Sequence, residues 1–153
     1  MNIKLFFCLV FCNLTLGSSY LYAEEQVDLV IDSRFLINIF ATDIDSPRQM
    51  AEDLDGRVYV GSKKAGKIFA LNDSDKNGQV DEKILIAEGL TFATGVSFFK
   101  GDLFFSEINK IWKIENIADY FKTNLDQLPK KVLVTDNLPS EEWHGWKWIK
   151  HDV

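Results

Sequence analysis

Cysteine is nearly absent from this chain. Its only two copies, Cys8 and Cys12, lie inside the first apolar stretch. If that stretch is a removed leader, the remainder holds no disulfide, no thiolate ligand and no cysteine nucleophile. Basic runs are missing too. Seventeen Lys and Arg face 23 Asp and Glu for a net charge of −6, and no cationic patch interrupts the acidic background, which argues against nucleic acid or anionic lipid as partners. Neither a Gly-rich phosphate loop, a nucleophile elbow nor a histidine pair at metal-ligand spacing occurs. The chain has only two histidines, His144 and His151. Low-complexity segments are likewise lacking.

What is present begins with a leader. Met1 to Lys4 gives a positive start, Leu5 to Cys12 is unbroken apolar sequence, and Leu21-Tyr22-Ala23 precedes a cleavage point at Glu24. The pattern is that of a secretory signal peptide over residues 1–23. Its apolar core is shorter than the ~20 residues a membrane span needs, and Asn13 interrupts it. The reading is therefore export with cleavage to a secreted or periplasmic site, without stable membrane insertion. No oligomer is expected.

Residues 24–153 carry an internal repeat. Gly56-Arg57-Val58-Tyr59-Val60 returns as Gly101-Asp102-Leu103-Phe104-Phe105, 45 residues on. Lys67-Ile68-Phe69-Ala70 returns as Lys110-Ile111-Trp112-Lys113, and Ile84-Leu85-Ile86 as Val132-Leu133-Val134, at offsets of 43 and 48. Gln49-Met50-Ala51 is echoed by Gly95-Val96-Ser97 and again by Gly145-Trp146-Lys147. Four short apolar runs per ~40–50 residues is the signature of β-propeller blades. The fold class expected is all-β: a propeller fragment of about two and a third blades, where a closed ring needs four or more.

The expected division is a lead-in over 24–47, blade one over 48–90, blade two over 91–138 and the start of a third blade over 139–153. In the lead-in, Val27 to Ile31 suits an edge strand, and Phe35 to Ala41 is a second apolar run. Asp55-Gly56 marks a hairpin, since glycine accepts positive φ. Ile117 to Phe121 suits one helical turn.

Three groups could carry chemistry. Asp73, Asp75, Asn77 and Asp81 place side-chain oxygens at positions 1, 3, 5 and 9 of a calcium-type loop with Gly78 at position 6. Position 12 is Ile84, where such loops carry Glu; a solvated acidic hairpin turn explains the same residues. The second group is Trp143-His144-Gly145-Trp146-Lys147-Trp148. As a strand it would put His144, Trp146 and Trp148 on one face. A histidine there could abstract a proton near neutrality, and indoles stack on flat cofactors or sugars; an aromatic core strand with one hydrogen-bonded histidine is the alternative. The third comprises Arg48, beside the turn at Pro47, with Lys63-Lys64. Glu88 and Glu107 have no partner at a telling spacing, and His151 has none either.

Ser46-Pro47-Arg48-Gln49-Met50-Ala51, Gly56 to Ser62, Gly66 to Leu71, Thr94-Gly95-Val96-Ser97-Phe98 and His144-Gly145-Trp146-Lys147, in that order, resemble the glucose/sorbosone dehydrogenase family. The resemblance covers residues 35–150. It implies a six-bladed, exported parent that binds pyrroloquinoline quinone with calcium on the propeller axis and oxidises a sugar or aldehyde. It makes His144 the base that takes the substrate's hydroxyl proton. Apart from the resemblance, Arg48, which could point into a channel or lie at the surface, and Trp146 are candidate cofactor contacts. Where family members often carry Pro and Asn before the Gly-Val of the second blade, this chain has Ala93-Thr94. The Asp73 loop reads as an outer turn rather than the family's cofactor calcium site. The function expected is the N-terminal part of an exported quinone-dependent sugar or aldehyde dehydrogenase, inactive as this piece. The alternative is a non-catalytic exported propeller module that binds carbohydrate or a protein partner.

Overall fold

The computed structural model describes residues 30–123, 125–143 and 145–151. The leader and His144 therefore lie outside the described residues. The chain divides into two units at Leu36/Ile37. Of the first, residues 30–36 are described. They form no strand and are exposed, with a turn closed by the Phe35 amide on the Asp32 carbonyl and by an Arg34–Asp32 ion pair at 2.8 Å. The part of the expected edge strand that can be seen, Val30 and Ile31, is thus irregular.

The second unit is built on two antiparallel sheets of four strands. The first holds β1 (Pro47–Glu52), β2 (Val58–Ser62), β3 (Lys67–Asn72) and β4 (Glu82–Ala87). The second holds β5 (Val96–Phe99), β6 (Asp102–Ser106), β7 (Ile111–Ile114) and β8 (Val132–Thr135). In each, sequence order is spatial order. That up-and-down meander, made twice, is the blade architecture of a propeller. The one helix, α1 (Ile117–Tyr120), is a single turn between β7 and β8. Among the described residues no helix is long and apolar enough to cross a membrane.

Local chemistry explains the meanders. β2 and β6 are rich in Val, Tyr and Phe, whose branched or aromatic side chains fit a pleated, half-buried surface. Between β5 and β6, Lys100 and Gly101 form a two-residue hairpin at φ of 50° and 93°. Positive φ at both central positions matches the right-handed twist of the strands. The Asp53 carboxylate organises the β1–β2 turn by accepting the amides of Asp55 and Arg57, each at 2.9 Å.

Alternate residues of β3 and β6 point inward. Tyr59, Ile68 and Ile86 of the first sheet meet Val96, Leu103, Phe105 and Ile114 of the second, with Ile117 closing one end of the core. Tyr59 is fully buried and donates its hydroxyl to Asp53 at 2.9 Å. Arg57 pairs with the same carboxylate at 3.1 Å and lies 4.4 Å from the Phe121 ring.

The seam between the blades is a backbone approach. Thr94 and Ala93 press their carbonyls on Gly61, where an added Cβ would come within 2.9 Å of each. The Gln49 amide donates to the Thr94 carbonyl at 3.2 Å. The segment 145–151 is seated on the second blade in a corresponding way: the Lys147 carbonyl accepts the Ser106 hydroxyl at 3.0 Å and the Thr94 hydroxyl at 3.3 Å. Expected as the first strand of a third blade, this segment makes no ladder among the described residues. Side chains rather than backbone amides take its carbonyls.

Burial and the adjacent Asp53 carboxylate raise the pKa of Tyr59 well above its ordinary value near 10. The folded state therefore keeps this proton where the unfolded chain loses it, so stability falls as pH rises past 10. Denaturant melts between pH 8 and 11 should show a loss of up to ~1.4 kcal/mol per pH unit from this group. Tyr59→Phe should remove that slope and cost about 1–2 kcal/mol at neutral pH.

Candidate functional site

The register places two candidate groups at opposite ends of the first sheet. Pro47 pairs with Ser62 and Ser62 with Lys67, so Arg48 and Lys63 lie at one end. Leu71 pairs with Val58, Val58 with Glu52 and Asn72 with Glu82, so the Asp73–Asp81 hairpin lies at the other.

At the first end the chain gathers residues far apart in sequence. The Arg48 guanidinium sits 5.0 Å from the centre of the Trp146 ring and the Lys63 ammonium 4.0 Å from it. Lys63 is also 4.9 Å from the Phe92 ring. Arg48 is exposed, Lys63 half-buried, and Trp146 keeps 41% of its surface open. Among the described residues neither cation has a carboxylate within 4.0 Å, although Arg34, Arg57, Lys67, Lys110, Lys113 and Lys122 each do.

The positions are fixed by backbone bonds. The Lys63 amide donates to the Ser46 carbonyl at 3.0 Å, and the Ser62 hydroxyl bonds the Asp45 carbonyl. Phe92 adopts a φ of 53°, a left-handed backbone uncommon for a bulky side chain. Its neighbour Thr91 holds it there: the Thr91 amide donates to Glu107 Oε2 and its carbonyl accepts the Ile108 amide, both at 2.9 Å. Glu107 is 5% exposed, and its other oxygen takes the Trp112 indole N–H at 2.7 Å. Spacing gave no partner for Glu107; the β6–β7 hairpin supplies Trp112, and the loop before β5 folds back to supply Thr91. Glu88, likewise without an expected partner, lies 3.8 Å from Lys67.

His151 also has company that sequence spacing did not disclose. Its Nδ1 is 3.0 Å from the Ser97 hydroxyl, and its ring stacks on Phe99 and tilts against Phe104, each at 4.5 Å. It reaches them because residues 145–151 run beside β5.

At the opposite end, Asp73, Asp75 and Asp81 bring carboxylate oxygens within 4.8 Å of one another. Asp73 accepts the amides of Asn77 and Gly78 at 3.1 and 2.9 Å, and Asp75 also accepts that of Asn77. Asn77 turns its own oxygen to the Gln79 amide. The Ser74 hydroxyl and amide hold the Asp81 carboxyl below the usual carboxylate range. Ile84, at loop position 12, is half-buried in β4 and offers no oxygen side chain.

Residues 23–122 match a protein family described as a domain of unknown function, DUF7133. The chain belongs to that family. An uncharacterized protein of Borreliella burgdorferi is 26% identical over 143 residues, covering 88% of this chain and 36% of the relative. Among solved structures, a streptogramin B lyase is similar at 19% identity and a TM-score of 0.45, over 66% of this chain and 30% of the lyase. The PQQ-bound form of aldose sugar dehydrogenase from Streptomyces coelicolor is similar at 17% identity and a TM-score of 0.46, over 65% of this chain and 33% of the enzyme. The chain spans about a third of the length of these proteins.

The buried Glu107 carboxylate joins β6, β7 and the loop bearing Phe92. Glu107→Ala should strand the Trp112 and Thr91 donors, at about 1–3 kcal/mol each. The check is the denaturation midpoint, with Glu107→Gln, which keeps one acceptor, expected to lose less.

Proposed function

We propose that this chain is the N-terminal part of an exported quinone-dependent dehydrogenase acting on a sugar or aldehyde. The observation that carries the reading is the convergence of Arg48, at the start of β1, and Trp146, 98 residues on in the segment after the second blade, at one end of the first sheet. Inner-strand ends surround the channel in which propellers bind ligands. The sequence resemblance supports the same reading.

The residues fit an anionic group but not the whole cofactor. Arg48 and Lys63 suit a carboxylate, and Trp146 gives a flat apolar wall. A quinone with calcium also needs several oxygen donors beside the cations. Among the described residues the one cluster of three close carboxylates is Asp73, Asp75 and Asp81, at the other end of the sheet. On this reading the remaining cofactor ligands belong to parts of the parent outside this chain. His144, in the segment that brings Trp146 to the cations, takes the hydroxyl proton from the substrate. A non-catalytic module binding carbohydrate or a protein through the same rim is the second reading, favoured by the exposed Trp143 and Trp148, 89% and 70% open.

Quinone-dependent dye reduction with glucose and sorbosone tests the proposal. The 153-residue chain loaded with quinone and calcium should be inactive. A longer protein containing it should turn over, and His144→Ala there should lower kcat by about 10²-fold or more. A longer protein that binds quinone yet oxidises neither class of substrate would leave the binding-module reading in its place.

The Asp73–Asp81 hairpin is proposed as a calcium-stabilised turn, separate from the chemistry. Calcium should then raise the melting temperature, and Asp75→Ala should abolish the rise. No shift in the unmutated chain would identify it as a solvated turn.

A further inference from the structure

Two positive charges share one indole, in a chain whose acids outnumber its bases, and among the described residues neither has a carboxylate within 4.0 Å. Lys64, Lys76 and Lys100 also lack one; what sets Arg48 and Lys63 apart among the described residues is that they converge on a single ring. Hydrogen bonds at Ser46, Ser62 and Gln49 set the main chain beside Arg48 and Lys63, and both side chains lean on the same indole. A cation pair without an internal partner gains from an anion supplied by a ligand, because no ion pair must first be broken.

The wall beside that pair narrows the ligand. Trp146 is part of a segment in which Trp143 and Trp148 are also largely open to solvent. Flat, exposed indoles suit the C–H faces of pyranose rings, and any ring stacked on Trp146 itself would have to displace the two cations already on it. A neutral sugar would use the indoles and leave both charges unanswered.

We infer that the Arg48–Lys63–Trp146 cluster binds a carboxylated sugar, of the hexuronate class, with its carboxylate between the two cations and its ring against the tryptophan-bearing segment. This rests on the proposal that the chain serves a sugar-acting propeller, and it moves the ligand class from neutral to acidic sugars. Arg48 supplies a planar fork that can hold both carboxylate oxygens, and Lys63 a single-point charge.

The test is titration of the 153-residue chain with sodium D-glucuronate at low ionic strength, followed by tryptophan fluorescence and calorimetry. D-Glucose and pyrroloquinoline quinone are titrated in parallel. Saturable glucuronate binding is expected, with glucose at least about tenfold weaker, the difference one charge-assisted contact makes. Arg48→Ala and Lys63→Ala should each lose about tenfold, and raising salt from ~20 to ~200 mM should weaken binding further. Arg48 is exposed and Lys63 only half-buried, and unchanged circular dichroism will show that the variants are folded. Glucose binding as tightly as glucuronate overturns the inference, as does glucuronate binding unaffected in the double variant. Quinone binding without glucuronate binding also overturns it, while leaving the dehydrogenase proposal standing. Glucuronate binding by this chain, together with a longer protein inert to quinone and dye, supports the inference and removes the dehydrogenase proposal.

Discussion

The arrangement depends on how closely one blade's backbone can approach the next. At Gly61 the absence of a side chain lets the carbonyls of Ala93 and Thr94 rest on β2. That approach sets the angle between the sheets, which in turn determines which core residues meet across it. It also places the loop with Phe92 beside Lys63. A methyl group at position 61 would push the second blade outward and separate the two halves of the rim site together with the two halves of the core. The second blade meets the segment after it with both devices: Ser106 stands where the repeat aligns with Gly61 and its hydroxyl bonds the Lys147 carbonyl, while Gly95, lacking a side chain, leaves the room in which that carbonyl sits.

Among the described residues, buried charge is confined to the Asp53 and Glu107 carboxylates, and each ties together elements that apolar packing alone would leave loose. Asp53 gathers the turn after β1, the Arg57 guanidinium and the Tyr59 hydroxyl. Glu107 gathers a hairpin and a loop. Both are saturated by donors within the chain, which makes them poor candidates for acid–base work and good ones for holding shape. The contrast with Arg48 and Lys63 is instructive. The two buried carboxylates are satisfied within the chain, whereas Arg48 and Lys63, at one end of the first sheet, have no carboxylate within 4.0 Å among the described residues.

Much of the fold was legible because a blade is a local object. Hairpins join neighbours in sequence, so the repeated apolar runs at 58–60, 67–70, 84–86, 103–105, 111–113 and 132–134 all fall inside observed strands. The lead-in was harder. Phe35 to Ala41 is apolar enough for a strand, yet Phe35, Leu36, Ile37 and Ile39 are exposed, and no strand is assigned to it. Apolar content alone does not supply a sheet edge to pair with. The site was legible only in parts. Arg48, Lys63 and Trp146 could each be singled out, but their meeting depends on how successive blades rotate about an axis, which no spacing within one blade encodes. The aromatic surroundings of His151 were hidden for the same reason. The calcium-type loop shows the reverse case: its pattern is local, and its carboxylates do come together.

The Gln49 side chain has a consequence for how the chain reaches this state. Its amide nitrogen donates to the Ile149 carbonyl at 2.7 Å and its oxygen accepts the Ile149 amide at 3.1 Å, so one side chain stands in for a strand partner across 100 residues of sequence. Hairpins close loops of a few residues and form early; a contact spanning this distance carries a far larger closure entropy and is rewarded only after the intervening sheets exist. The rim is therefore expected to order last, its tryptophan-bearing half docking on the two completed blades.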